Sequence, residues 1–217
     1  MFMGVIQEIG TLQEKEIKDN KINLEINSKE LIDKLENGDE VSIDGICLTV
    51  TKKDKYFFSV EGENINIQDT NLHYLKKGNL INLEKETPPY KYKGNHVISG
   101  IINNIGEIIN IKEKSDRQIL KIKIKNDLHD YIKENNSIAI NGVSLNIKEL
   151  IEDKIIVEIT NSILENTSLS NLKKGEKVNI ETDIVGRYMG DIIEKHVETK
   201  KKKEIIEKDL LKKDGFI

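Results

Sequence analysis

Tryptophan is absent from this 217-residue sequence, aromatic residues make up 5% of it, and it holds one cysteine. A scarcity of stacking rings removes the platform that a single-strand nucleic-acid binder needs, and a net charge of −4 removes its electrostatic footprint. One cysteine cannot close an internal disulfide, so a reducing, cytoplasmic setting is the default expectation. No apolar run approaches membrane-span length, and the opening Met1-Phe2-Met3-Gly4 lacks the basic region and apolar stretch of a signal peptide. His73, His129 and His196 show no spacing with carboxylates or Cys47 that suits a metal, so none is expected. The local charge run Lys200 to Lys203 reads as a solvated link between helices.

What the chain does have is a duplication. Gly-Val-Ile-Gln-Glu-Ile-Gly at 4–10 returns as Gly-Ile-Ile-Asn-Asn-Ile-Gly at 100–106. Val-Ser-Ile-Asp-Gly-Ile-Cys-Leu-Thr-Val at 41–50 returns as Ile-Ala-Ile-Asn-Gly-Val-Ser-Leu-Asn-Ile at 138–147, and Thr70 to Gly78 returns as Thr167 to Gly175. The offset is about 97 residues, too long for a solenoid unit and suited to a small domain. Two such domains supply two similar concave sites, which suits a reaction between two similar molecules. Neither is large enough to enclose a big cavity alone, so a site at a domain or subunit boundary is favoured.

Within each copy, short Ile- and Val-rich stretches alternate with polar residues, as in Lys21 to Asn27 and Leu120 to Lys125, and read as half-buried strands. Turn signals at Gly38, Asp44-Gly45, Gly78, Asn141-Gly142 and Gly175 space them as in a small Greek-key barrel of six or seven strands. One short helix is expected in each copy, over 28–35 and 127–133, with Ser28 and Asn126 or Asp127 as N-caps. After Asp183 the period changes: Ile184, Tyr188, Ile192 and Val197, with Met189, Ile193 and His196 beside them, form an amphipathic helical stripe without a counterpart in the first copy. A neighbouring subunit is the simplest cover for that stripe. A second short helix is expected over 203–213, ending at Gly215. The chain therefore divides into barrels over 1–96 and 97–187 and a helical segment over 188–217.

Met1-Phe2-x-Gly4-x-x-Gln7, Asp44-Gly45-x-Cys47-Leu48-Thr49-Val50, Gly94-x-His96-x-x-Ser99-Gly100, Asn141-Gly142-Val143-Ser144-Leu145 and Val178-Asn179-Ile180-Glu181-x-Asp183 occur in this order. In order and spacing the sequence resembles the riboflavin synthase family, alpha-chain type, with two lumazine-binding repeats over nearly all of residues 1–190. The resemblance implies a dismutation of two 6,7-dimethyl-8-ribityllumazine molecules to riboflavin and a ribitylamino-uracil, without a cofactor. It implies a homotrimer in which one subunit's N-terminal barrel faces a neighbour's C-terminal barrel, and association with lumazine synthase. Matching residues carry over as catalytic Cys47, His96, Ser99, Ser144 and Asp183.

Substrate-binding segments carry over as Gly4, Val5 and Ile6, Cys47, Leu48 and Thr49, and Glu61, Gly62, Glu63, Asn64, Ile65 and Asn66, all grouped with the N-terminal barrel. Gly100, Ile101 and Ile102, Asn135, Ser144, Leu145 and Asn146, and Glu158, Ile159, Thr160, Asn161, Ser162 and Ile163 are grouped with the C-terminal one. Several depart from the family pattern: Ile101 stands where a histidine is expected, Asn135 for a lysine, Asn141 for an aspartate, Asn146 for a threonine and Glu40 for a serine. Ile65-Asn66-Ile67 and Ser162-Ile163-Leu164 replace two Glu-Thr-Leu triplets. The expected function is riboflavin synthase; the alternative is a paralogue that binds a lumazine or flavin without turning it over.

Overall fold

The computed structural model describes residues 1–18, 21–63, 65–88, 90 and 96–183, with the backbone alone at 126 and 127. Alternation makes its strands: in Lys21–Asn27, Ile22, Leu24 and Ile26 are at most 1% exposed while Lys21 and Asn23 face solvent. The described strands form two closed antiparallel barrels. The first holds β1 (Glu8–Lys18), β2 (Lys21–Asn27), β3 (Glu40–Ile43), β4 (Ile46–Lys53), β5 (Phe57–Glu63) and β6 (Leu80–Lys85), in the Greek-key circuit β1-β2-β5-β4-β3-β6. The second repeats that circuit with β7 (Asn104–Glu113), β8 (Arg117–Lys123), β9 (Ser137–Ile140), β10 (Val143–Ile151), β11 (Lys154–Thr160) and β12 (Lys177–Thr182). Each barrel is filled by its own aliphatic cluster, around Leu24, Val41, Phe58 and Leu83 in one and Leu120, Ile140, Val157 and Ile180 in the other. Each such side chain contributes roughly 1.5–3 kcal/mol on burial.

The two expected helices are shorter than the sequence suggests. The first is one 3-10 turn, Ile32–Lys34, and the second a 3-10 segment, Asn126–Tyr131. Ser28 is not the N-cap, which is Leu31 without a side-chain cap, although Ser28 Oγ accepts the Ile32 N–H at 3.1 Å. The Glu8 carboxylate, however, takes the N–H groups of Lys29, Glu30 and Leu31 at 2.5, 3.1 and 2.7 Å, pinning that segment to β1 instead of leaving it free to wind on. An α-helix absent from the sequence expectation, α1 (Asn161–Glu165), follows β11. The helical stripe after Asp183, the helix over 203–213, the Lys200 to Lys203 run and Asn64 lie outside the described residues.

The barrels meet along a seam whose contacts come in matched pairs. Phe2 and Ile98 form a two-way antiparallel bridge, with N–H to O distances of 2.9 and 3.1 Å. Turns Asp44-Gly45 and Asn141-Gly142 abut: both residues of each turn have positive φ, and a Cβ on Gly142 would lie 2.7 Å from the Gly45 nitrogen. Asn82 and Asn179, each 1% exposed, tie the turns together. Asn82 donates to the Asn141 carbonyl and Asn179 to the Asp44 carbonyl, both at 2.9 Å. Their side-chain oxygens accept the Ser168 and Asn71 N–H groups, both at 2.7 Å. The bridge, the turns and the Asn82 and Asn179 bonds recur one repeat later, giving the seam a pseudo-twofold axis, which is broken at Asn71: its side chain bonds Asp44 and Asn179, where Ser168 stands in the second copy.

Candidate functional site

The opening segment of each copy leaves its own barrel and lies on the other. Gly4 presents its carbonyl to the Ser144 N–H of β10 at 3.0 Å, and Gly100 presents its carbonyl to the Cys47 N–H of β4 at 3.1 Å. Both glycines have left-handed φ, and a Cβ on either would come within 2.6 Å of its partner's side chain, so no other residue fits without displacement. Ile6 accordingly packs on the second core and Ile102 on the first. This corrects the grouping expected from the sequence: residues 4–6 belong in space with 144–146, and residues 100–102 with 47–49. Around Cys47 lies a cavity of about 450 Å³ whose lining includes Ile65, Asn66, Gly100, Ile101 and Ile102. Ile101 is 67% exposed, and its counterpart one repeat earlier, Val5, is 60% exposed. Ile101 thus presents a bare aliphatic group to that cavity, and Val5 stands exposed at the equivalent place on the other barrel.

The reactive side chains sort into two environments. Burial, with the negative charge of Glu40 adding to it, pushes the Cys47 thiol up to about 12, so the thiol stays protonated at neutral pH. At the equivalent place Ser144 Oγ lies 2.8 Å from Nδ1 of His96, which is 5% exposed. Burial lowers the His96 pKa, the charge of Asp183 opposing it, and a neutral imidazole beside a hydroxyl is the arrangement for proton exchange. His96, Ser144 and Asp183 therefore gather in the second barrel, while Cys47 stands in the first. Ser99 is engaged in holding backbone: its Oγ donates to Glu181 at 2.6 Å and accepts from the Ile101 N–H at 3.2 Å.

The remaining expected residues fall into place unevenly. Leu48, Leu145 and Ile159 bury their side chains in the barrel cores, leaving only backbone for a ligand, whereas Thr49, Asn146, Thr160, Asn161 and Ser162 are exposed. Ile163 packs on the second core from α1. Glu61 and Glu63 pair with Lys21, and Glu158 with Arg117 at 2.9 Å. Gly62 lies in β5, where a Cβ would meet Leu48 and Ile65. Asn135 is exposed in a left-handed turn, φ 66°, and donates its N–H to the Ile147 carbonyl at 2.8 Å. Gly38 makes the matching bond to Val50 at 2.8 Å, so asparagine here suits a turn that lysine would strain. Asn141 accepts the Asn179 N–H at 2.8 Å as Asp44 accepts that of Asn82 at 2.8 Å, so the amide keeps the turn's structural bond.

Six cavity residues escaped the sequence expectation: Ile46, Asp69, Thr70, Asn103, Asn104 and Lys125, the last paired with Asp69 at 3.3 Å. So did two buried carboxylates behind the crossing segments. Glu84 accepts the N–H groups of Met3 and Gly4 at 2.7 and 3.0 Å, and Glu181 those of Ser99 and Gly100 at 2.6 and 3.1 Å. Their signal was present in the repeat, as Ile81-Asn82-Leu83-Glu84 against Val178-Asn179-Ile180-Glu181.

Comparison with known proteins accords with this geometry. A family model described as Lumazine binding domain matches twice, over residues 3–86 and 99–183. Riboflavin synthase of Bacillus subtilis (strain 168) is 33% identical over 216 residues, covering 100% of both chains. Riboflavin synthase of Actinobacillus pleuropneumoniae is 31% identical over 216 residues with the same coverage. Among solved structures, LumP complexed with 6,7-dimethyl-8-(1'-D-ribityl) lumazine is similar with a TM-score of 0.76 at 30% identity, over 84% of this chain and 99% of that one. LumP complexed with riboflavin gives 0.78 at 30% identity and the same coverage. With two matched repeats and relatives of that name along its whole length, the chain belongs to the riboflavin synthase family, as two lumazine-binding domains in tandem.

Proposed function

We propose that the protein is a riboflavin synthase. It transfers a four-carbon unit between two molecules of 6,7-dimethyl-8-ribityllumazine, giving riboflavin and 5-amino-6-(D-ribitylamino)uracil, the last step of riboflavin biosynthesis. The observation that carries this reading is the paired geometry of Cys47 against Gly100 and Ser144 against Gly4. A reaction between two identical molecules needs two seats of one shape, and this chain builds them from one repeated design. Residues 47–49, 61–66 and 100–102 would line one seat; 4–6, 135, 144–146 and 158–163 the other.

The acidity of the lumazine's C7 methyl group resides in its electron-poor ring, so the protein's main contribution is alignment, worth on the order of 7–11 kcal/mol. The His96–Ser144 pair passes protons to and from the ring in the second barrel. Cys47, held as a thiol, offers a hydrogen-bond donor in the first, and this difference decides which lumazine donates and which accepts the carbon unit. The reaction uses no cofactor. The working form is a cytoplasmic homotrimer, associating with lumazine synthase, in which seats of neighbouring subunits face each other.

A second reading, a lumazine or flavin carrier without turnover, draws on Ile101 and Asn146, which replace groups with acid–base or hydroxyl function, and on the likeness to LumP. One experiment separates the two: the purified protein is mixed with the lumazine, and riboflavin absorbance is followed together with ligand fluorescence. Multiple turnovers are the expected result; tight binding without product would replace the first reading by the second, and neither would sink both.

A further inference from the structure

The crossing segments, one of which lines the Cys47 cavity, are both anchored from behind. Glu84 and Glu181 are the penultimate residues of β6 and β12, equivalent places, and are 1% and 2% exposed. Each spreads its two carboxylate oxygens over consecutive backbone N–H groups, Met3 and Gly4 in one case, Ser99 and Gly100 in the other. Burying a carboxylate is costly, and these hydrogen bonds offset that cost only if the peptide planes keep one orientation. Burial pushes Glu84 up to about 7 even though the Met3, Gly4 and Val5 amides pull it down.

We propose that Glu84 and Glu181 are reciprocal positioning residues, each fixing the opening segment of its own copy as a wall of the other barrel's cleft. The inference rests on the functional reading given above. With the glycine N–H held by the carboxylate and its carbonyl accepting the Ser144 or Cys47 N–H, the two peptide planes that meet at Gly4 or Gly100 are each held by a hydrogen bond. Val5 and Ile101 are 60% and 67% exposed, so their own packing does little to place them; the clamp does. Glu181 is the more elaborate, because Ser99 Oγ bridges it to the Ile101 N–H. A carboxamide of the same shape has one acceptor oxygen and would turn an NH2 group toward a backbone donor.

The test uses Glu181→Gln and Glu84→Gln in the full chain, with two readouts. In the free protein, amide exchange at residues 99–101 should accelerate about ten- to a hundredfold in Glu181→Gln with residues 3–5 unchanged, and the reverse in Glu84→Gln. With lumazine carrying 13C-labelled methyl groups, each cleft gives its own bound resonance, assigned through Cys47→Ala and Ser144→Ala. Glu181→Gln should weaken the Cys47 cleft about tenfold or more and spare the other, Glu84→Gln the opposite. Equal weakening of both clefts in step with a fall in Tm would reduce the pair to structural ties and overturn the proposal, as would unchanged exchange at the clamped amides. If lumazine binds neither cleft of the unaltered protein, the functional reading fails while the exchange data still decide the clamp. Should Glu181→Gln not fold, Ser99→Ala removes the Oγ bridge from Glu181 to the Ile101 N–H and leaves the carboxylate on the Ser99 and Gly100 amides, and unaltered exchange at residue 101 in that variant would overturn it.

Discussion

At the scale of single residues, the two copies place different chemistry on one frame. Cys47 and Ser144 occupy equivalent places, yet one is a thiol kept protonated by burial and the other a hydroxyl 2.8 Å from a neutral imidazole. With its pKa pushed up to about 12, Cys47 should react with iodoacetamide at pH 8 at least about a hundredfold more slowly than free cysteine, a rate read directly by mass spectrometry. Cys47→Ser should impair turnover more than lumazine binding; loss of both in proportion would count against a part in the chemistry. Removal of the imidazole in His96→Ala should lower turnover by about 10²- to 10⁴-fold, measured as riboflavin formation at saturating substrate. An unchanged rate would leave His96 a structural part beside Ser144.

At the scale of elements, the turns at the seam carry the strain and the titration. Gly142→Ala brings a methyl group 2.7 Å from the Gly45 nitrogen at a φ of 76° and should cost about 1–3 kcal/mol, visible in a denaturant midpoint. Asp44, 1% exposed, and Glu84 are both pushed up to about 7 by burial, against about 4 in an unfolded chain. Between those values the folded protein holds more protons than the unfolded one, so these groups make stability fall as pH rises from about 4 to about 7 and then level off. Asp44→Asn, which copies the residue already at position 141, should remove its share of that slope in denaturation curves taken across the range. An unchanged slope would show that Asp44 titrates at an ordinary carboxylate value.

The barrels themselves were legible in the sequence, because period-two alternation and repeated Asp-Gly and Asn-Gly turns are local signals. The short helices were misjudged where a distant group intervened: Ser28 promised a cap, but Glu8 of β1 claimed the next three amides. The candidate site was legible in its membership and not in its assembly. A repeat shows which segments are alike, and likeness cannot tell on which barrel a segment lies, so 4–6 and 100–102 were assigned to the wrong partners. Lys125 and Asp69 were invisible for a related reason, since only the crossing brings them beside Ile101 and Ile102.

At the scale of the whole molecule, the matched seam has an implication for half of it. A chain of residues 1–96 retains Phe2, Gly4, Asp44, Asn82 and Cys47, but not the bridge from Ile98 or the cover from Gly100. Because the bridge, turn and Asn82/Asn179 contacts have counterparts one repeat away, a second copy of the same half offers nearly the same surface. Such halves should associate as a symmetric dimer, with Gly4 of each standing where Gly100 stands in the intact chain, as sedimentation would show; a monomer at all concentrations would deny the seam its self-complementarity. In the intact protein the covalent tether makes that encounter intramolecular, at an effective concentration of order millimolar. The join between the copies thus frees one of them to change its cleft chemistry, as Ser144 and Cys47 have diverged, while the other continues to recognise it.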